Sequence, residues 1–431
     1  MQSSRLIALL NQQRAVVYVG LATFLFTLAQ GVSIFTYPLY GRELGLTLAQ
    51  VGLTVSAFAV ARVFTNVPSA MISNRVGRRW VLIAGGLFAA AGYVLSANAD
   101  SLLPLMAFRF IAGIGSAAFI TVGIVTTADL STPANRARLM SVFQWSFILG
   151  ITLGPFIGGL IAQFWGLRIP FYVIGVVSVT SAVWTLVMVP ETRGLQSQAQ
   201  PLPDAEAGQN PEAGVRSTPL SGFRQFSFML SRGYVLVMLI FIGAFFIRGG
   251  GLFSLFPVVA KEDLGLSEAF VGVMQTLPAI ASLLVLPFVG AISDRFGRKS
   301  IIVPGMMLYV VCLLILGYST PVWILSAAVV FAIGIFIFGM AQGASGPVPI
   351  AYIADVSPTE RQATAQGMAR TVGDVALMSG GPVLGLISDN FGTSEALYGT
   401  AVVMAIFMLI FWFFARETAG RRVQQANQQA S

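Results

Sequence analysis

The sequence predicts an all-α polytopic membrane protein, with twelve transmembrane helices in two pseudo-symmetric six-helix bundles. Three observations predict it. Hydrophobic residues fill 56% of the 431 positions and charged residues only 10%, against roughly 25% charged in a soluble domain. Long apolar runs recur along the chain, each near the ~20 residues that a helix needs to cross a bilayer. They are continuous, not alternating, and rich in Leu, Ala, Gly and Phe, which favours helices over a barrel. Finally, the second half of the chain echoes the first.

In chain order the approximate spans of the first half are 16–40, 51–73, 80–98, 103–128, 141–164 and 171–189. The first follows Arg5 and Arg14 and carries no small-residue cleavage site, so it reads as a spanning helix and not as a removable signal peptide. The segment after span 6 contains "QSQAQPLPDAEAGQNPEAGVRSTPL", which cannot bury enough apolar surface to fold and reads as a flexible linker. Past it, "FRQFSFML" is expected to lie along the membrane surface. The second half has spans at 234–260, 270–293, 300–319, 322–354, 367–391 and 397–415. The longest are accommodated by tilt or by extension beyond the bilayer. The domains are therefore an N-terminal bundle (1–189), a cytoplasmic linker (190–233), a C-terminal bundle (234–415) and a cytoplasmic tail (416–431).

The net charge of +8 suits topology better than nucleic-acid binding, because basic residues of membrane proteins collect in cytoplasmic loops. With both termini and the linker on one face, that face holds eighteen Lys and Arg. The opposite face holds three, Arg42, Arg168 and Lys261, and four more (Arg62, Arg109, Arg248, Arg370) fall inside spans. Both termini are thus expected in the cytoplasm of a cell whose inner (plasma) membrane carries the chain. Cys312 has no partner in the chain, and histidine is absent, so neither an internal disulfide nor a His-based site is available. No metal-ligand spacing, phosphate-binding Gly-rich loop with its Lys, or nucleophile–base set occurs. No cofactor and no enzymatic activity are expected.

The two halves read as copies. "RELGLTLAQVG" (42–52) matches "EDLGLSEAFVG" (262–272), and "ADLSTPANRA" (128–137) parallels "ADVSPTERQA" (354–363). "LGPFIGGLIAQFWG" (153–166) parallels "GGPVLGLISDNFG" (380–392), and "PETRG" (190–194) parallels "RETAG" (416–420). "SAMISNRVGRRW" (69–80) and "GAISDRFGRKS" (290–300) complete the set. Paired bundles of this kind are a layout of secondary transporters, with the site between the halves.

With these motifs the chain resembles the major facilitator superfamily, apart from its tails and linker. The family's loop signature between helices 2 and 3, roughly G-x-L-x-D-R-x-G-R-R/K, appears as "GAISDRFGRK", and in the first half as "AMISNRVGRR" with Asn74 in place of Asp. The resemblance implies a cytoplasmic latch at Asp294, Arg295, Gly297 and Arg298 and at Asn74, Arg75, Gly77 and Arg78. Asp129 and Asp355 are candidate partners of Arg78 and Arg298. An amide at Asn74 offers hydrogen bonds without charge and should weaken the first latch. The alternative is that these arginines only enforce topology.

Span 5 carries "GITLGPFIGG", which puts Gly150, Gly154 and Gly158 on one face. With Pro155 and Gly159 they form a helix-packing motif, since small residues let membrane helices approach closely. The family carries this pattern chiefly in drug and metabolite exporters. "RFIAGIG" (109–115) resembles the family's R-x-x-x-G-x-G segment, whose arginine is tied in exporters to proton coupling beside an acid on another helix. Span 1 offers Gln30 and Tyr37 there, and no carboxylate.

The substrate and proton pathway is expected at Arg109, Asp374, Arg248, Arg62, Gln30 and Tyr37. An arginine inside a membrane faces a polar cavity or a partner. Asp374 lies one turn beyond Arg370, and the two form a static pair unless the carboxylate is free to carry a proton. Arg62 lines the cavity or supports the bend near Pro68. Arg248, beside "GGG" (249–251), sits where the helix could break around a ligand.

The resemblance implies a secondary transporter working by alternating access, with proton-coupled efflux of apolar or amphipathic compounds as the first reading. An uptake permease or symporter of the same fold and a non-transporting membrane receptor are the others. The implied partners are a small-molecule substrate, protons and the lipid bilayer, with no nucleic acid, and the protein is expected to be a monomer.

Overall fold

A computed structural model describes residues 2–132, 135–193, 230–318, 324–358 and 361–418. Most of the sequence-predicted linker and tail, and all but the last residue of the proposed surface segment, lie outside these residues. The described chain contains twelve helices long and apolar enough to cross a membrane. They are α1 (Gln2–Glu43), α2 (Leu48–Val76), α3 (Arg78–Ser96), α4 (Leu102–Asp129), α5 (Arg136–Trp165) and α6 (Ile169–Met188) in the first half. The second half has α7 (Arg232–Asp263), α8 (Glu268–Phe296), α9 (Lys299–Tyr318), α10 (Ala327–Val356), α11 (Gln362–Phe391) and α12 (Thr393–Phe414).

Local chemistry sets the ends. α2 starts three residues earlier than the apolar pattern suggests, because Thr47 and Gln50 form a capping box that satisfies the first free N–H groups. Ser267 accepts from the Phe270 N–H at the equivalent start of α8. α10 is broken where Gly346 precedes Pro347, so Ile324–Ser345 and Pro347–Val356 are separate helical pieces within one span.

α7 departs from its expected form. At Arg248 the helix widens into a π-helix over Arg248–Leu255, with the Phe256 N–H bonded to the Gly251 carbonyl. Pro257 has no N–H to continue the ordinary ladder. The three glycines serve close packing here: a side chain at Gly249 or Gly250 would overlap the α11 backbone at Leu377 and Gly380.

One apolar core is built by α1–α6. A second is built mainly by α7–α12, joined by Phe35, Leu39 and Ala162 from the first half. The halves meet where α2 packs on α11 and α5 on α8. Gly52 lies against Gly381, and Gly159 against Gly272, close enough that a Cβ would collide with backbone. Polar contacts reinforce this end. Asp389 accepts from the Leu48 and Ala49 N–H groups, both at 2.9 Å, and so caps α2 from the other half. Arg42 holds Glu262 through two bonds of 2.8 Å. Together these contacts make a seal at the end opposite the arginine-rich loops.

Candidate functional site

A cavity of about 420 Å³ lies between the halves. Its wall includes Val55, Phe58 and Arg62 on α2, Gln144 to Thr152 positions on α5, Ala279 to Leu286 positions on α8, and Arg370, Asp374 and Leu377 on α11. On each of these four helices the lining residues fall on the arginine-rich side of the seal. The volume suits a small molecule.

Arg109 is the most buried of the cavity's arginines, only 4% exposed. Its guanidinium lies 3.6 Å from the centroid of the Tyr37 ring and 5.0 Å from that of Phe58. Tyr37 is itself held rigidly. Its hydroxyl shares a 2.7 Å hydrogen bond with Ser96 on α3, and its ring stands edge-on to Phe171 on α6. A cation over a desolvated ring gains about 2 kcal/mol, which offsets part of the cost of an arginine at this depth. The Arg109 Nε and Nη1 nevertheless have no hydrogen-bond partner among the described residues.

The structure brings Gln30, Arg62, Arg109, Arg248 and Asp374 to one cavity, whereas Tyr37 stands behind Arg109 and not in the wall. Arg62 faces the cavity with its Nε unpartnered, and Arg248 does the same beside the Phe253 ring. Asp374 lies 3.6 Å from Arg370, a loose ion pair beyond hydrogen-bond length. On α5, Gly150, Gly154 and Gly158 face α1 at Thr27, Gly31 and Val32, while Gly159 and the Pro155 carbonyl meet α8 across the halves.

The arginine-rich loops lie apart from the cavity, and each folds into the same cluster. Gly77 (φ 115°) and Gly297 (φ 105°) turn the chain between two helices in a region that side chains avoid. Arg78 then reaches Asp129 at 3.1 Å and Ser73 at 3.0 Å, and also bonds to the Asn74 side-chain oxygen. Arg298 reaches Asp355 at 3.2 Å, Ser293 at 3.0 Å and Asp294 at 2.5 Å. Burial opposes the charge on Arg298, and its bonds to Asp294 and Asp355 outweigh that, so it titrates above the ordinary arginine range. Arg75 and Arg295 are exposed.

Two further pairs complete the clusters and were missed in the residue reading. Glu191 accepts from the Arg78 and Arg79 N–H groups and so caps α3; Glu417 does the same for Arg298 and Lys299 at the start of α9. The adjacent Thr192 and Thr418 donate to Asp129 and Asp355. The signal was present in the "PETRG" and "RETAG" echo, whose Glu-Thr step is its shared chemistry.

Comparison with known proteins agrees with this arrangement. The Major Facilitator Superfamily matches residues 19–262 and 244–430. The uncharacterized MFS-type transporter MJ1560 of Methanocaldococcus jannaschii is 23% identical over 399 residues, covering 92% of this chain and 97% of that protein. The quinolone resistance protein NorA of Staphylococcus aureus is 27% identical over 185 residues, 43% of this chain, and the match spans 47% of NorA. Among solved structures, the nucleoside transporter NupG superposes with a TM-score of 0.75 at 15% identity, over 92% of this chain and 99% of that one. The chain belongs to the Major Facilitator Superfamily and is a membrane-embedded transporter with that family's alternating-access fold.

Proposed function

We propose that this transporter exports small apolar or amphipathic compounds across the plasma membrane in exchange for protons, with its arginine-rich face and both termini in the cytoplasm. The observation that carries the reading is a cavity walled by both halves, sealed on the face with few basic residues and lying toward the basic one. Such a cavity receives its cargo from the basic side, which the charge asymmetry makes cytoplasmic. The glycine–proline pattern of α5 and the partial likeness to NorA support efflux.

Rocking of the bundles closes the cytoplasmic ends and parts the Arg42–Glu262 and Asp389–α2 contacts on the other face. Asp374 is the one carboxylate in the cavity wall among the described residues. It takes a proton when the cavity faces outward and gives it up to the cytoplasm when the cavity faces inward. Arg370 stabilises the deprotonated form between these steps. The latches of Asn74 to Arg78 and Asp294 to Arg298 hold the loop geometry while the helices beyond them tilt.

Liposomes carrying the purified protein and a trapped pH-sensitive dye provide the test. Each amphipathic compound transported should drive protons in the opposite direction, and Asp374→Asn should abolish the pH dependence of transport. Protons moving with the compound would end the exporter reading, and unchanged pH dependence in the variant would remove Asp374 from the proton path.

A further inference from the structure

Of the four arginines in the cavity wall, only Arg370 has a carboxylate within salt-bridge distance, Asp374 at 3.6 Å. Arg62, Arg109 and Arg248 form no ion pair among the described residues. A guanidinium cannot shed its proton to escape burial, and an uncompensated buried charge costs several kcal/mol. All three side chains line the same cavity, and Nε of Arg62, Nε and Nη1 of Arg109, and Nε of Arg248 have no hydrogen-bond partner among the described residues. The hydroxyl of Thr152, which is 8% exposed, also lacks a partner there. The same wall carries the rings of Phe58, Phe147 and Phe253, together with polar Ser33, Gln144, Ser282 and Gln342.

We infer that the cavity takes organic anions: a carboxylate, sulfonate or phosphate on an aromatic or branched apolar body. The proposal rests on the cavity being the transport site. Arg62 comes from the first half and Arg248 from the second, so a single anionic group between them ties the bundles together. The aromatic side chains receive the apolar body, and Arg109 adds charge from behind. A cation would add to the repulsion among the arginines, and a neutral compound would leave them unpaired. A cavity of about 420 Å³ is too small for a two-chain phospholipid, so the occupant is a soluble organic anion and not a lipid headgroup with its tails.

The test uses the full-length protein in a neutral detergent and three isosteric probes: 1-naphthoate, 1-naphthamide and 1-naphthylmethylammonium. Calorimetry should show naphthoate binding at least about tenfold more tightly than naphthamide, a difference of ~1.4 kcal/mol, with the ammonium weakest. In Arg62→Gln/Arg248→Gln the naphthoate should lose this advantage while naphthamide affinity stays the same. Arg62→Lys/Arg248→Lys, which keeps both charges, should retain most of it. If the glutamine variant does not fold, the wild type still decides through its ranking of the three probes. Equal affinity for all three probes, tighter binding of the ammonium, no saturable naphthoate binding, or a preference untouched by the glutamine variant would each overturn the proposal. Export and anion recognition fail separately. A naphthoate preference without proton-coupled export removes only the exporter reading, and coupled export of cations without that preference removes only this one.

Discussion

The two arginine loops repeat one design but neutralise their central arginine differently. In the first half the Arg78–Asp129 pair is nearly dry, with side-chain exposures of 6% and 1%, and the position before Arg75 is an amide, Asn74. In the second half Arg298 and Asp355 are 18% and 27% exposed, and Asp294 adds a second carboxylate. Paired with the guanidinium, one buried carboxylate thus stands in one cluster where two wetter ones share the task in the other. The attraction between charges rises as water is excluded, so losing the Asp at position 74 does not dismantle the first cluster. What it removes is redundancy, and Asp129 is the one ion-pair partner of the Arg78 guanidinium among the described residues.

The largest expected effect tests that dependence. Asp129→Asn should cost about 3 kcal/mol, because it leaves Arg78 buried without a carboxylate. Asp355→Asn should cost only about 1 kcal/mol, since Arg298 keeps Asp294 and is partly solvated. Thermal or denaturant unfolding of the purified variants in one detergent reads the difference, and equal losses would break the comparison. Next come the shared caps. Glu191→Gln and Glu417→Gln should each cost about 1 kcal/mol and by similar amounts, because each carboxylate closes two N–H groups at a helix start. A large inequality would show that the two turns are not equivalent. The smallest effect belongs to the position that differs. Asn74→Asp should stabilise by no more than about 0.5 kcal/mol, as Asn74 is exposed. Asp294→Asn should show itself instead as altered cysteine labelling between the halves on a background lacking Cys312, and unchanged labelling would separate Asp294 from the conformational equilibrium.

Much of the molecule was legible before any coordinates. The twelve spans follow from apolar run length, because a bilayer forces each crossing segment to satisfy its backbone internally as a helix. The partners of Arg78 and Arg298 were legible too, because both carboxylates end a repeated "AD" step in matching segments of the two halves. The Glu-Thr clasps left a trace only as an unexplained echo. Hydrogen bonds from a side chain to a helix end more than a hundred residues away have no local periodicity. The close packing at "GGG" in α7 left no trace either: Gly249 and Gly250 admit the backbone of α11.

By itself the sequence determined the number of crossings, the charge asymmetry of the two faces and the twofold repetition, all of which depend on composition and spacing along the chain. Only the tertiary structure decided which end of the bundle is sealed, and that Arg62, Arg109 and Arg248, which form no ion pair among the described residues, share a cavity with aromatic side chains. Those facts depend on which helix faces meet across the halves, and side chains far apart in the chain acquire a common environment only when packing brings their helices together.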